Sequence, residues 1–104
     1  MFTVIETPTF VRLARNCWND DDRIAFINFI AGDPEAGAVV PGSGGVRKVR
    51  WGSSGRGKRG GVRVIYFNRL ANGEIWLLLV YDKATRDNIP AHLLRQIKEE
   101  IENA

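Results

Sequence analysis

Val62-Arg63-Val64-Ile65-Tyr66-Phe67-Asn68 and Glu74-Ile75-Trp76-Leu77-Leu78-Leu79-Val80-Tyr81 are joined by a short link containing Ala71-Asn72-Gly73. Both runs are rich in β-branched, aromatic and aliphatic residues, which suit a pleated, buried surface. Asn-Gly provides the left-handed backbone that a tight reversal needs, so the two runs predict an antiparallel hairpin. Trp76 to Val80 is apolar at every position, where a strand with one wet face would alternate. That strand is therefore expected to be central and covered on both faces along much of its length.

Working outward, Phe2 to Glu6 reads as a first strand, and Thr7-Pro8 as a helix start with Thr7 as N-cap and Pro8 at the first helical position. Phe10, Leu13, Ala14 and Cys17 follow at helical spacing. Asn19 or Asp20 caps a second helix, where Asp20, Asp21 and Asp22 suit the positive end of the helix dipole better than they suit a metal ion. In that helix Ile24, Ile27, Ile30 and Ala31 are expected inward, Phe26 and Phe29 widen the apolar stripe, and Gly32-Asp33-Pro34 ends it. An extended approach leads to a glycine turn and a strand, Val46-Arg47-Lys48-Val49-Arg50-Trp51. Alternation there puts Arg47, Val49 and Trp51 on one face and Val46, Lys48 and Arg50 on the other. Beyond Asp82 a polar connector leads to a last helix near Pro90, with Leu93, Leu94, Ile97 and Ile101 inward. The order β-α-α-β-β-β-α predicts one α+β domain over residues 1–104. It is a twisted, mainly antiparallel sheet with an N-terminal helical hairpin and a C-terminal helix, the helices packed against one side.

Charge is the second signal. Between Gly42 and Arg69 lie eight basic residues and no acidic one, so a net charge of +3 conceals a strongly basic middle. Such a cluster repels itself in the folded state, and its natural use is to face a polyanion such as nucleic-acid phosphate. Cys17 is the only cysteine and His92 the only histidine, so no intramolecular disulfide and no Cys/His zinc site can be assembled from the chain. Cys17 reads as a packing residue and His92 as a surface or capping one. No cofactor is called for. The first residues lack the pattern of a signal peptide, and no segment approaches transmembrane length, so a reduced, cytoplasmic setting without membrane contact is expected.

The string Pro41-Gly42-Ser43-Gly44-Gly45-Val46-Arg47-Lys48-Val49-Arg50-Trp51, with Gly55-Arg56-Gly57-Lys58 and Gly60-Gly61-Val62-Arg63-Val64-Ile65-Tyr66, resembles the RelE superfamily of bacterial type II toxins, in its HigB-like branch. Tyr81-Asp82-Lys83 looks like the family's Tyr-x-Lys. The resemblance covers nearly the whole chain. It implies a ribosome-dependent endoribonuclease that cuts the mRNA codon in the A site. It also implies a cognate antitoxin, expected to be a small helix-turn-helix protein through which alone the toxin would meet operator DNA. Arg59 and Val62 depart from the small residue and the aromatic common at these places in the family, which leaves codon preference open.

Cutting RNA through its 2′-hydroxyl requires a proton acceptor, stabilisation of an extra negative charge at phosphorus, and a proton for the leaving 5′-oxygen. The basic region offers only Lys, Arg and Tyr for this work. Like-charge neighbours lower a lysine pKa, making Lys58 and Lys83 candidates for proton transfer. Arg63, held in a strand, can bind a phosphate bidentately and is the candidate transition-state stabiliser. Lys48, Arg50, Arg56, Arg47 and Arg59 are expected to hold RNA phosphates, and Tyr66 or Tyr81 to stack on a base or orient a phosphate. Two other readings fit the same charge: a module that binds RNA or DNA without cutting it, and an inactive toxin-like protein that binds an acidic antitoxin.

Overall fold

The computed structural model describes residues 2–52, 61–82 and 89–103. In chain order the elements are β1 (Thr3–Glu6), α1 (Pro8–Ala14), α2 (Asp20–Gly32), β2 (Ala38–Val39), β3 (Arg47–Trp51), β4 (Val62–Arg69), β5 (Glu74–Asp82) and α3 (Ala91–Glu102). The described strands form one five-stranded sheet in the order β1-β5-β4-β3-β2. All its ladders are antiparallel except β1 with β5. The β4–β5 hairpin turns through a short 3-10 segment, Leu70–Asn72, closed by Gly73 in the left-handed conformation (φ 69°). The expected extended approach contains the two-residue strand β2, paired with Arg47 and Lys48.

Local chemistry starts both N-terminal helices where the sequence indicates. The Thr7 hydroxyl accepts from the Phe10 N–H (3.2 Å), and the Asn19 side chain accepts from the Asp22 N–H (2.8 Å). Thr7 also donates to the Leu77 carbonyl (2.9 Å), tying the start of α1 to β5. On α2 the buried residues are Phe26 and Ile30, while Ile24 is 49% exposed. Apolar residues at 24, 25, 26, 27, 29, 30 and 31 leave the inward stripe undetermined by spacing. Docking selects Phe26, whose ring packs on Trp18 (centroids 5.6 Å) and Trp51 (5.5 Å).

The helices do not gather on one side. α1 and α2 cover Val49, Val62, Val64, Tyr66, Ile75, Leu77 and Val80. α3 packs through Leu94, Ile97 and Ile101 against Val46, Ile65, Phe67 and Leu78. The physical reason is in the central strands: Val64, Ile65, Tyr66 and Phe67 are all buried, and a strand apolar on both faces needs cover on both. Each fully buried large side chain contributes about 1.5–3 kcal/mol, so a bare second face would be costly. Leu93, expected inward, lies 41% exposed beside the Leu94 that α3 buries.

Candidate functional site

Parity along β3 and β4 sorts the cationic residues. Val49 and Trp51 pack with the α1–α2 side, so Lys48 and Arg50 project to the α3 side. On β4, Val62, Val64 and Tyr66 face α1 and α2, and Arg63 shares the other face with Ile65 and Phe67. Register then assembles rows across the sheet. Arg50 pairs with Arg63, and Arg63 pairs with Tyr81; the neighbouring row is Lys48, Ile65 and Leu79. The α3 stripe covers Phe67 and Leu78 on this face, and Tyr81 belongs to the same buried cluster; Arg63 and Arg50 continue its row across β4 and β3, toward the place where the chain between those strands begins. Arg50 is exposed, Lys48 and Arg63 are half-buried, and Tyr81 is 8% exposed.

A β-bulge puts Tyr81 in this row. Pairing passes from Ile65 with Leu79 to Tyr66 with Leu77, leaving Leu78 as an extra residue on β5. Leu78 and Leu79 consequently both belong to the α3 side, and the alternation beyond them is inverted. With unbroken alternation from Leu77, Tyr81 would stand on the α1–α2 face.

Arg47 and Tyr66 lie elsewhere, which corrects their expected place on the RNA-facing surface. Arg47 pairs in register with Tyr66 on the α1–α2 side. Its guanidinium donates to the Gly37 carbonyl (2.6 Å) and lies 3.7 Å from the Glu35 carboxylate. Tyr66 is fully buried, so its ring has no face to offer a base. Its hydroxyl accepts from the Gly37 N–H (2.8 Å) and donates to the Pro34 carbonyl (2.8 Å), which also accepts from Asn68 (2.8 Å). Burial pushes the phenol pKa above its ordinary value, against the opposing effects of the Gly37 hydrogen bond and Arg47. Tyr66, Asn68 and Arg47 thus fasten the segment from Pro34 to Gly37 onto the sheet.

No protein-family model matches the chain. Among solved structures it is similar to a mutant of the E. coli toxin RelE in the free state, with a TM-score of 0.59 and 13% sequence identity over 98% of this chain and 95% of that one. The fold is RelE-like.

On this RelE-like sheet the structure brings together four of the residues singled out from sequence: Lys48, Arg50, Arg63 and Tyr81. Arg56, Lys58, Arg59 and Lys83 lie outside the described residues. Cys17 is buried at 6% exposure, its thiol directed to the Val80 carbonyl (3.8 Å), and His92 is exposed on α3. Among the described residues no group of three or more His, Cys, Asp or Glu could hold a metal ion, and no helix is long and apolar enough to cross a membrane. Sequence reasoning passed over one surface feature of the RelE-like sheet. Trp51, at the end of β3, packs against Phe29 of α2 with ring centroids 4.9 Å apart and the rings tilted by 37°. The available signal was a tryptophan ending a strand of alternating cations.

The chemistry open to the row follows from its composition. Two guanidinium groups side by side are planar, permanently charged donors suited to bidentate contact with phosphate oxygens. Like charges directly opposite one another on a ladder destabilise it, an arrangement that a bound anion relieves.

Proposed function

We propose that the chain is the toxin of a type II toxin–antitoxin system, of the HigB-like branch, and a ribosome-dependent endoribonuclease that cuts mRNA in the A site. The observation that carries this reading is the Arg50–Arg63–Tyr81 row on a RelE-like sheet, beside the chain's basic stretch.

In this reading Arg50 and Lys48 hold RNA phosphates while Arg63, anchored mid-sheet, donates two hydrogen bonds to the scissile phosphate. The 2′-oxygen attacks phosphorus, its proton passes to a basic group, and the bond to the 5′-oxygen breaks as that oxygen takes up a proton. Negative charge accumulates on the non-bridging oxygens, where fixed guanidinium donors stabilise the transition state more than the ground state. Lys58 and Lys83 are the proposed proton-transfer groups, Lys83 preferred because it directly follows β5. Tyr81, whose ring is buried in the α3-side core, orients the phosphate, and Arg56 and Arg59 add phosphate contacts. The cations do the electrostatic work, so the reaction needs no metal. Such weak acid–base groups leave much of the rate to positioning, and in-line alignment of mRNA on the ribosome can lower the barrier by as much as about 7–11 kcal/mol. A helix-turn-helix antitoxin neutralises the protein and alone connects it to operator DNA, and the toxin acts in the cytoplasm.

The test is cleavage of a translated mRNA mapped to single nucleotides, with and without active ribosomes. Cuts within A-site codons that require translation and disappear with Arg63→Ala support the nuclease. An mRNA left whole by a protein that still binds RNA assigns the face to binding alone.

A further inference from the structure

Phe29 is the only aromatic among the exposed large hydrophobic residues described, at 36% exposure, and the others are aliphatic. Its ring does not stand alone. It lies tilted at 37° against Trp51, with centroids 4.9 Å apart, and Trp51 is in turn backed edge-on by the fully buried Phe26 at 5.5 Å. The indole is therefore wedged between a core ring and a surface ring, which fixes its orientation.

The position of the pair is as informative as its packing. Trp51 is one strand step, about 3.3 Å, from the exposed Arg50. The sequence that follows it carries Arg56, Lys58 and Arg59 and no acid. Rings on one side of a strand whose other side and continuation carry cations offer the two contacts that single-stranded nucleic acid uses: charge tracks the phosphates and rings stack on the bases.

We propose that Phe29 and Trp51 form a stacking platform for an unpaired base of the RNA strand whose phosphates lie along Arg50 and Arg63. The proposal rests on the RNA-directed reading above and adds to it a base contact on the opposite side of β3. The strand passes around the end of β3, its backbone on the arginine side and one base turned onto the Phe29 ring. Stacking is tolerant of base identity, so the platform contributes affinity and placement with little choice of sequence.

The experiment compares binding of a short unstructured RNA oligomer with that of an abasic oligomer of equal length, at low salt. Both carry the same phosphates, and only one has bases to stack. The wild-type protein is expected to prefer the base-bearing oligomer about 10-fold. Phe29→Leu should remove most of that preference while leaving abasic binding unchanged, and Phe29→Tyr should restore it. A wild-type protein without base preference, or without detectable binding of either oligomer, overturns the platform. So does a Phe29→Leu protein with undiminished preference. The wild-type comparison stands even where a variant fails to fold. A protein that keeps the preference but leaves translated mRNA whole counts against the nuclease alone; one that cuts mRNA without base preference counts against the platform alone.

Discussion

Arg50 on β3 and Arg63 on β4 are direct cross-strand partners, on the sheet face that also carries α3. Like charges directly opposite one another on a ladder repel, and an anion held between them removes that repulsion. In the proposed function this pair is a phosphate clamp set on a strand ladder, and each part of that proposal can be tested.

Arg63→Ala should reduce cleavage of translated mRNA by at least about 10²-fold, the scale on which loss of a transition-state donor acts. Its effect on unfolding free energy should stay within about 1 kcal/mol, because Arg63 is only half-buried. Arg63→Lys keeps the charge without the bidentate geometry and should fall between. Single-turnover cleavage beside thermal melts checks this. A folded Arg63→Ala protein cutting at the wild-type rate removes Arg63 from the chemistry.

Salt titration separates the two faces of β3. Binding of single-stranded RNA should weaken on a log–log plot with a slope that loses about 0.7 for each phosphate contact removed. Arg50→Ala and Lys48→Ala should each show that loss. Arg47→Ala should leave the slope unchanged and lower stability instead, since its guanidinium holds the Gly37 carbonyl. Equal slope changes for all three would erase the distinction between faces.

Tyr66 predicts an alkaline limit to stability. Its folded pKa is raised above 10.0, so on raising the pH the unfolded chain ionises first. The Tyr66 contribution should be complete below about pH 10 and decline as pH climbs from there through the raised folded value. Tyr66→Phe should lose about 1–3 kcal/mol near neutrality, because the Gly37 N–H is left without its acceptor, and should no longer show the tyrosine's share of the alkaline decline. Urea melts of both proteins from pH 7 to 11 measure this.

Gly61 stands at φ +60°, and a β-carbon there would collide with the Trp51 carbonyl oxygen. Gly61→Ala should therefore destabilise by about 2 kcal/mol or more, combining left-handed strain with displacement of the end of β3. Gly52→Ala meets nothing within 4 Å and should stay within about 0.5 kcal/mol. Equal melting of the two variants would show that the β3–β4 approach yields without cost.

Much of this molecule was legible because its signals are local. Thr7 and Asn19 cap the helices they precede through hydrogen bonds to residues three positions on. The hairpin of β4 and β5 follows from two apolar runs and a glycine able to adopt positive φ. Less legible was the inward face of α2, where apolar residues nearly encircle the helix and Phe26 is chosen by the aromatic neighbours it meets. Tyr66 and Tyr81 show the same limit at the site. Both are buried tyrosines in central strands, yet one lies on the α1–α2 side with its hydroxyl bound to Pro34 and Gly37, and the other lies on the α3 side beside Arg63.

The sequence by itself determined the hairpin, the helix starts, the basic middle and the two faces of β3, since each depends on neighbours a few residues apart and on a side-chain period of two. Tertiary structure alone decided that α3 takes the opposite face from α1 and α2, that Arg50 meets Arg63, and that the bulge at Leu78 turns Tyr81 toward them. Those outcomes depend on strand register and on which apolar surfaces meet. Both are set by contacts between residues distant in the chain, and a one-residue slip would reverse every side chain beyond it.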